Sequence, residues 1–203
     1  LSKTRFLAAA SHDLLQPLNA ARLFLASVDA DVDGQGAVAK AERAIQSADE
    51  LLKGLLDISR LDQSNITPQI STFPLGPLLE DLVEEARPMA EAAGLQIDFV
   101  PTSLSVVTDP VFLQSILRNF LSNARRYTLD GGVLMGARRE GNHVRIEVWD
   151  TGPGLSPTQQ TQIFEEFKRE AEADNRGIRG AGLGLSVVRR LADLMGANIA
   201  VKS

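Results

Sequence analysis

The spacing of apolar residues predicts two helices in the N-terminal third of the chain. Over Thr4–Val28 apolar residues recur at intervals of three and four, which is the period of an amphipathic helix. The same spacing returns over Ala41–Asp62, and the polar, glycine-containing segment Asp29–Gly36 between them predicts a tight connection. Two helices joined in this way form an antiparallel hairpin.

This hairpin is too small to enclose a core by itself. Its long stripe of alanine and leucine must pack on another surface, and a second copy of the same hairpin is the simplest one. We therefore expect a homodimer held together by an all-α four-helix bundle.

The pattern changes after a linker at Ser64–Pro68. Strand-like and helix-like segments now alternate, and two alternating apolar–polar runs flank the turn Glu140-Gly141-Asn142, which predicts a β-hairpin. Asp109 followed by Pro110 is typical of a helix N-terminus. The predicted strands are 69–73, 97–100, 105–108, 133–139, 143–149 and 197–201, and the predicted helices are 75–93, 110–127, 157–167 and 183–195. This order predicts an α+β sandwich with helices on one face of a mostly antiparallel sheet.

Composition narrows the classes of partner. The net charge is −5 and the basic residues form no block, so neither nucleic acid nor an anionic membrane surface is an expected partner. The chain has no cysteine, which excludes disulfides and thiolate metal sites. Its longest apolar runs are far shorter than the roughly 20 residues of a membrane span. We expect a cytoplasmic protein, or the cytoplasmic part of a longer protein anchored in a membrane through regions N-terminal to this sequence.

His12 is the first candidate for chemistry. A single histidine on an amphipathic helix is by itself more often an ordinary surface residue, but three neighbours change that interpretation. Asp13 can orient the imidazole or accept its proton, and Gln16 lies one helical turn further on the same face. Pro17 removes a backbone donor from the helix interior at a cost of about 3 kcal/mol, and such strain tends to collect at functional sites.

The predicted helix 110–127 carries a polar stripe. Asn119 and Asn123 are four residues apart and share a face, and Arg126 and Tyr127 follow them. Amide oxygens suit Mg²⁺, which prefers oxygen ligands, while arginine suits a phosphate and tyrosine offers an aromatic face for a base. An ordinary solvated surface is the alternative for such a stripe taken alone.

Two glycine motifs follow the stripe. Asp150-Thr151-Gly152-Pro153-Gly154 ends a predicted strand, which is common at plain turns, but a buried carboxylate there can accept a hydrogen bond from the exocyclic amine of adenine. Gly180-Ala181-Gly182-Leu183-Gly184 precedes a helix, whose N-terminal N–H groups can hold a polyphosphate. This second motif matches neither a dinucleotide-binding loop nor a P-loop. Residues 168–179 between the motifs are charged and poor in apolar side chains, as in a lid over a nucleotide.

Five segments in this order resemble the sequence boxes of sensor histidine kinases. Ser11–Leu18 is similar to the H box, Asn119–Thr128 to the N box, Asp150–Gly154 to the G1 box, Phe164–Phe167 to the F box and Gly180–Gly184 to the G2 box. The resemblance covers essentially the whole chain. It implies a phosphoacceptor hairpin at residues 1–66 and an ATP-binding domain of the histidine-kinase and Hsp90-like type at residues 67–203.

The resemblance also implies roles for single residues. His12 would take the γ-phosphoryl group of ATP, assisted by Asp13, and pass it to an aspartate on a response-regulator receiver domain. Gln16 would position a water for dephosphorylation of that receiver. In the ATP site the resemblance implies Mg²⁺ coordination by Asn123, a place near the phosphates for Asn119 and adenine recognition by Asp150. The other expected nucleotide contacts are Arg126, Tyr127, Gly152, Gly154, Gly180, Gly182, Leu183 and Gly184.

Three features depart from the family pattern. Asp13 stands where glutamate is usual, Leu15 stands where arginine is usual, and the sequence stops at Ser203, where the family adds another strand. Two other interpretations stay open: an ATPase of the same nucleotide fold, such as a chaperone or a mismatch-repair clamp, and a scaffold whose degenerate kinase core only binds a partner. His12 with its neighbours disfavours the first, and Asn123, Asp150 and the second glycine motif disfavour the other.

Overall fold

A computed structural model of the protein describes residues 18–24, 36–38, 40–41, 44–45, 48, 67–164 and 184–203. These residues fall into two compact units: those up to residue 48 and Gly184 belong to the first unit, and residues 67–164 and 185–203 belong to the second. In the described part of the chain no helix is long and apolar enough to cross a membrane.

The first unit contains two helical stretches that pack through alanine. Residues 18–24 are helical, and so are the described residues between 36 and 48. Side chains from both stretches are buried in one cluster, namely Ala21, Ala41 and Ala44. The two stretches therefore lie against each other, as the predicted hairpin requires.

Two details extend this picture of the hairpin. Phe24 packs on the alanine cluster, and the Lys40 Nζ atom lies 6.0 Å from the centre of its ring, which is the outer range of a cation–π interaction. Gly36, which we expected in the connection, is helical in the structure.

The second unit contains five strands and four helices among its described residues. In chain order they are β1 (Ser71–Pro74), α1 (Leu75–Glu91), β2 (Gln96–Phe99), β3 (Ser105–Thr108), α2 (Pro110–Tyr127), β4 (Gly132–Glu140), β5 (His143–Asp150), α3 (Pro157–Gln162) and α4 (Gly184–Met195). Their bounds agree with the predicted ones to within two residues, with two exceptions. Helix α3 ends at Gln162 instead of near Phe167, and residues 197–201 form no strand. The alternation at 197–201 was not sufficient because a strand needs a hydrogen-bonded neighbour, and no described residue pairs with this segment.

Strand pairing also differs from the single, mostly antiparallel sheet that we expected. β1 and β3 form an antiparallel pair of their own, whereas β2 lies parallel to β4 in a separate sheet with the order β2–β4–β5. β4 and β5 pair as predicted, and the turn between them contains Gly141 at φ +60°, a conformation that glycine adopts readily. The apolar period predicts which face a strand buries, but not which strand lies beside it.

Helices α1 and α2 cover one face of the three-stranded sheet. α1 packs on β2, α2 packs on β4 and β5, and the two helices contact each other. The core between helices and sheet includes Leu79, Leu82, Leu117, Leu121, Val133 and Met135. On the opposite face of the sheet Leu134 and Trp149 stand opposite each other and are exposed. The helices therefore lie on one face, as the predicted α+β sandwich requires.

Side chains hold helix α2 at both ends. At its N-terminus the buried Asp109 accepts hydrogen bonds from the backbone N–H groups of residues 111–112 at 2.8 and 3.0 Å, as the predicted cap requires. Its second oxygen accepts from the Gln69 N–H at 2.6 Å, which ties the helix to the segment before β1. After the last turn the buried Thr128 hydroxyl donates to the Ala124 carbonyl at 2.7 Å. The polar stripe of α2 is thus held on a fixed helix.

Candidate functional site

The polar stripe lies on the C-terminal half of α2. Asn119, Asn123, Arg126 and Tyr127 are all half-buried. The Asn119 side chain donates from Nδ2 to the Ser115 carbonyl at 2.9 Å, so its amide nitrogen is engaged with its own helix. The Asn123 amide makes no hydrogen bond with any described residue. The Asn123 side chain can therefore turn its amide oxygen towards a ligand, whereas the Asn119 side chain is held by its own helix.

The first glycine motif begins at the last residue of β5. Asp150 accepts a hydrogen bond from the Gly152 N–H at 2.8 Å through Oδ1, which fixes the orientation of the carboxylate. The expectation of a buried carboxylate is wrong within the described part of the chain, because the Asp150 side chain is exposed. Asp150 lies where β5 leaves the core, and its neighbour Trp149 is exposed as well.

The end of α2 and the first glycine motif lie in contact. A Cβ atom at Gly152 would lie 3.3 Å from the Tyr127 carbonyl oxygen and 2.6 Å from the Asp150 carboxylate. A side chain at this position would be crowded by both oxygens, so glycine suits this approach. The structure therefore brings Tyr127 close to Asp150 and Gly152, which follow it by more than twenty positions in the sequence.

The end of the first glycine motif contacts Ser203, the last residue of the sequence. The Leu155 N–H donates to the Ser203 hydroxyl at 2.6 Å. Gly154 has φ +74°, and a Cβ atom there would lie 2.5 Å from the same hydroxyl oxygen. Gly154 is thus required by its backbone conformation and by this contact. Sequence reasoning missed Ser203, since nothing near it in the chain points to a loop 48 positions away.

Thr151 is a second residue that sequence reasoning missed. Its hydroxyl donates to the Asp130 carbonyl at 2.7 Å and accepts from the Gly132 N–H at 3.0 Å. These bonds join the motif to the loop that leads from α2 into β4. The adjacent glycines Gly131 and Gly132 were a signal of close backbone approach that the sequence did offer.

The remaining expected site residues lie outside the described part of the chain. They are His12, Asp13, Gln16, Gly180, Gly182 and Leu183. Gly184, the last residue of the second glycine motif, is the first residue of α4. The motif therefore leads directly into a helix, as predicted.

The chemistry of the donors fits a magnesium-bound nucleotide. Mg²⁺ takes hard oxygen ligands and keeps several waters, so one neutral amide oxygen together with phosphate oxygens is a suitable set. The half-buried Asn123 amide supplies such an oxygen, and Arg126 near it carries the positive charge that phosphates require. The exposed Asp150 carboxylate offers an acceptor to a base.

Two family models match the chain in succession. Residues 2–64 match the His Kinase A (phospho-acceptor) domain, and residues 108–203 match the histidine kinase-, DNA gyrase B- and HSP90-like ATPase. The sensor histidine kinase GacS of Pseudomonas protegens is 33% identical over 99% of this chain and 23% of its own length. The sensor-like histidine kinase SenX3 of Mycobacterium tuberculosis is 30% identical over 92% of this chain and 47% of its own length. The chain thus spans less than half of each of these relatives.

Solved structures give the same result. Full-length ShkA in complex with AMPPNP aligns with a TM-score of 0.66 and 31% identity, covering 98% of this chain and 42% of ShkA. Histidine kinase ThkA in complex with the response regulator TrrA aligns with a TM-score of 0.73 over 95% of this chain and 55% of ThkA, and at 17% identity it shows the fold alone. A phosphoacceptor domain followed by an ATPase domain, with sensor kinases as relatives along almost the whole chain, leaves one conclusion: this chain belongs to the histidine kinases of two-component systems.

Proposed function

We propose that the protein is the catalytic core of a sensor histidine kinase in which ATP, bound by the second domain, phosphorylates His12 of the first. The observation that carries this proposal is the contact between the end of α2 and the Asp150 loop, where Gly152 approaches the Tyr127 carbonyl. This contact supports a single nucleotide site, because it brings the Asp150 loop next to the end of the helix that carries the polar stripe. A phosphoacceptor domain in the same chain supplies the histidine.

Asp150 recognises the adenine in this proposal. One of its oxygens is held by the Gly152 N–H at 2.8 Å, so the other is left to accept from the exocyclic amine. Gly152 and Gly154 carry no side chain that would keep the ring away from the backbone. The exposure of Asp150 supports this role, because a ligand can reach the carboxylate without rearrangement of the described residues.

The α2 stripe and the second glycine motif hold the phosphates. Asn123 contributes the protein ligand of Mg²⁺, and Asn119 lies close to the phosphates on the same face. A bound Mg²⁺ supplies neutralisation of phosphate charge. Arg126 and Tyr127 add a cation and an aromatic face. The remaining phosphate contacts come from the second motif at the start of α4, with Gly180, Gly182, Leu183 and Gly184.

The transfer uses His12 as nucleophile. A bond forms between an imidazole nitrogen and the γ-phosphorus of ATP, while the bond from that phosphorus to the bridging oxygen breaks and ADP leaves. Asp13 orients the imidazole or takes its proton. Phosphoryl transfer needs little covalent assistance, so the main task of these residues is positioning.

The domain boundary and the partners complete the proposal. We assign residues 1–66 to the phosphoacceptor hairpin and residues 67–203 to the ATP-binding domain. The hairpin forms a homodimer, which its exposed apolar side chains support, namely Leu18, Leu23, Val38 and Ile45. The phosphoryl acceptor is an aspartate of a response-regulator receiver domain; the complex of the structural relative ThkA with a response regulator supports this class of partner. The same core also dephosphorylates its receiver, and it acts in the cytoplasm, alone or as part of a membrane-bound sensor.

Incubation with Mg²⁺ and ATP labelled at the γ-phosphate tests the proposal. We expect labelled protein whose label is lost in acid and kept in alkali, since a phosphorus–nitrogen bond is acid-labile. The chain contains two histidines, and His143 is exposed at the start of β5, so His143→Ala is the matched control for His12→Ala. Label that survives acid, or that His143→Ala removes, would refute the proposal.

A further inference from the structure

We propose that Thr151 is a positioning residue that holds Asp150 in place for adenine recognition. This inference rests on the proposed role of Asp150. In this proposal the Thr151 hydroxyl holds the first glycine motif in a fixed position relative to the end of α2. That position determines how much the exocyclic amine of the nucleotide contributes to its binding affinity.

Thr151 forms hydrogen bonds with Asp130, in the loop between α2 and β4, and with Gly132, the first residue of β4. The hydroxyl donates to the Asp130 carbonyl at 2.7 Å and accepts from the Gly132 N–H at 3.0 Å. The Thr151 N–H donates to the Gly132 carbonyl at 3.2 Å. Asp130 lies three residues after Tyr127, so the bond to its carbonyl ties the motif to the end of the helix that carries the polar stripe.

Gly131 has no side chain and so leaves room for the Thr151 hydroxyl. It has φ +95°, and a Cβ atom there would lie 2.3 Å from Thr151 Oγ1, so the hydroxyl takes the space that any side chain at 131 would need. The Gly131 carbonyl in turn accepts from the Gln96 N–H of β2 at 3.0 Å. The loop to which the Thr151 hydroxyl is hydrogen-bonded is therefore itself attached to the sheet.

The consequence falls on Asp150. Its carboxylate is oriented by the Gly152 N–H, and Thr151 stands between these two residues in the chain. Loss of the hydroxyl removes both of its side-chain bonds and leaves the backbone bond to Gly132 to hold this part of the motif. Asp150 then samples more positions, and a hydrogen bond to the nucleotide amine weakens, because such bonds depend steeply on distance and angle.

Thr151→Val and Thr151→Ser in the full chain test this inference. Valine keeps the size and branching of threonine but replaces the hydroxyl with a methyl group, whereas serine keeps the hydroxyl and loses the methyl group. Dissociation constants are measured by calorimetry for ATP and for purine riboside triphosphate, which is ATP without the exocyclic amine. We expect Thr151→Val to weaken ATP about fivefold, the order of one lost hydrogen bond, and to leave the analogue unchanged. Thr151→Ser keeps the preference for ATP. Equal weakening of both nucleotides in Thr151→Val, or an unchanged preference for ATP, would overturn the inference.

Two glycine variants form a matched pair. Gly131→Ala should reduce the preference for ATP, and combining it with Thr151→Val should add little, because both changes break the same contact. Gly141 also has a positive φ, but nothing lies within 4 Å of a Cβ atom built there, so Gly141→Ala strains the backbone without touching the site. An equal effect of both alanines would contradict the role of Thr151.

Asp150→Ala tests the adenine role of Asp150 separately from the positioning role of Thr151. It should remove the preference for ATP over the analogue altogether. If Asp150→Ala keeps that preference, the adenine role of Asp150 fails. If Asp150→Ala removes it while Thr151→Val keeps it, the role of Asp150 stands and the inference about Thr151 fails.

Discussion

The two units of this protein bury different kinds of side chain. In the described part of the first unit every buried residue is an alanine, while Leu23 is 70% exposed. In the second unit Leu79, Leu82 and Met135 are almost completely buried among other large apolar residues. The second unit therefore has a core of its own, whereas in the described part of the first unit larger apolar side chains such as that of Leu23 are exposed.

This difference matches the proposed division of labour. Burial of a methyl group contributes only about 0.8 kcal/mol per carbon, so the alanine contacts among the described residues add little stability to the hairpin. A second hairpin would cover the apolar side chains that these residues leave exposed. The second unit needs no such partner to hold Asn123 and Asp150, because the elements that carry them are already packed on a closed core.

The sharpest test of this division is His12→Ala. We expect it to abolish phosphorylation and to leave ATP affinity almost unchanged, because the proposal assigns the nucleophile and the nucleotide site to different domains. Acid-labile labelling and calorimetry measure the two quantities on the same preparation. Loss of ATP binding in the variant would contradict the separation.

Asn123→Ala and Asp150→Asn should have the reverse effect. We expect each to weaken Mg²⁺-ATP binding about 10- to 100-fold, the range for a lost bond to a charged group, and to leave His12 able to accept a phosphoryl group. In a mixed dimer with His12→Ala, labelling should return if transfer runs between subunits. The absence of label in verified mixed dimers would indicate transfer within one chain.

A pair of identical substitutions tests the contrast in packing. Leu79→Ala should lower the free energy of unfolding of the second unit by about 2–5 kcal/mol, as for other buried leucines. Leu23→Ala should change the stability of its own chain by about 0.5 kcal/mol or less and should weaken the dimer instead. The only tryptophan, Trp149 on β5, reports unfolding of the second unit, and light scattering reports the dimer. An unchanged dimer in Leu23→Ala would show that this leucine is not part of the interface.

The sequence predicted well those features whose partners are close along the chain. The Asp109 cap lies within three residues of the N–H groups that it binds, and β4 and β5 are joined by a turn of two residues. Residue types at fixed offsets determine such features, and both were confirmed. The polar stripe of α2 was predicted for the same reason, because helical spacing alone places its members on one face.

Features that depend on distant partners were not predicted. The Thr151 hydroxyl meets Asp130 21 positions away, and Leu155 meets Ser203 48 positions away. The parallel pairing of β2 with β4 and the missing strand at 197–201 belong to the same class. The exposure of Asp150 also depends on what covers the end of β5, which no local pattern records.

The prediction with the smallest expected effect concerns Gln16→Ala, which tests a function of the first domain that needs no nucleotide. Gln16 lies four residues after His12, and helical spacing predicts that their side chains share a face. An amide there can hold a water in line with the aspartyl phosphate of a docked receiver, and positioning accounts for much of the catalysis of phosphoryl transfer. We expect the variant to keep autophosphorylation and phosphotransfer and to dephosphorylate its receiver about tenfold more slowly, the order of one lost positioning bond. The decay of labelled receiver, measured with nucleotide removed, checks this.

Gln16→Asn keeps the amide on a shorter side chain, so this control separates the need for an amide group from the need for a side chain of this length. Unchanged decay in Gln16→Ala would show that Gln16 is an ordinary polar residue before Pro17.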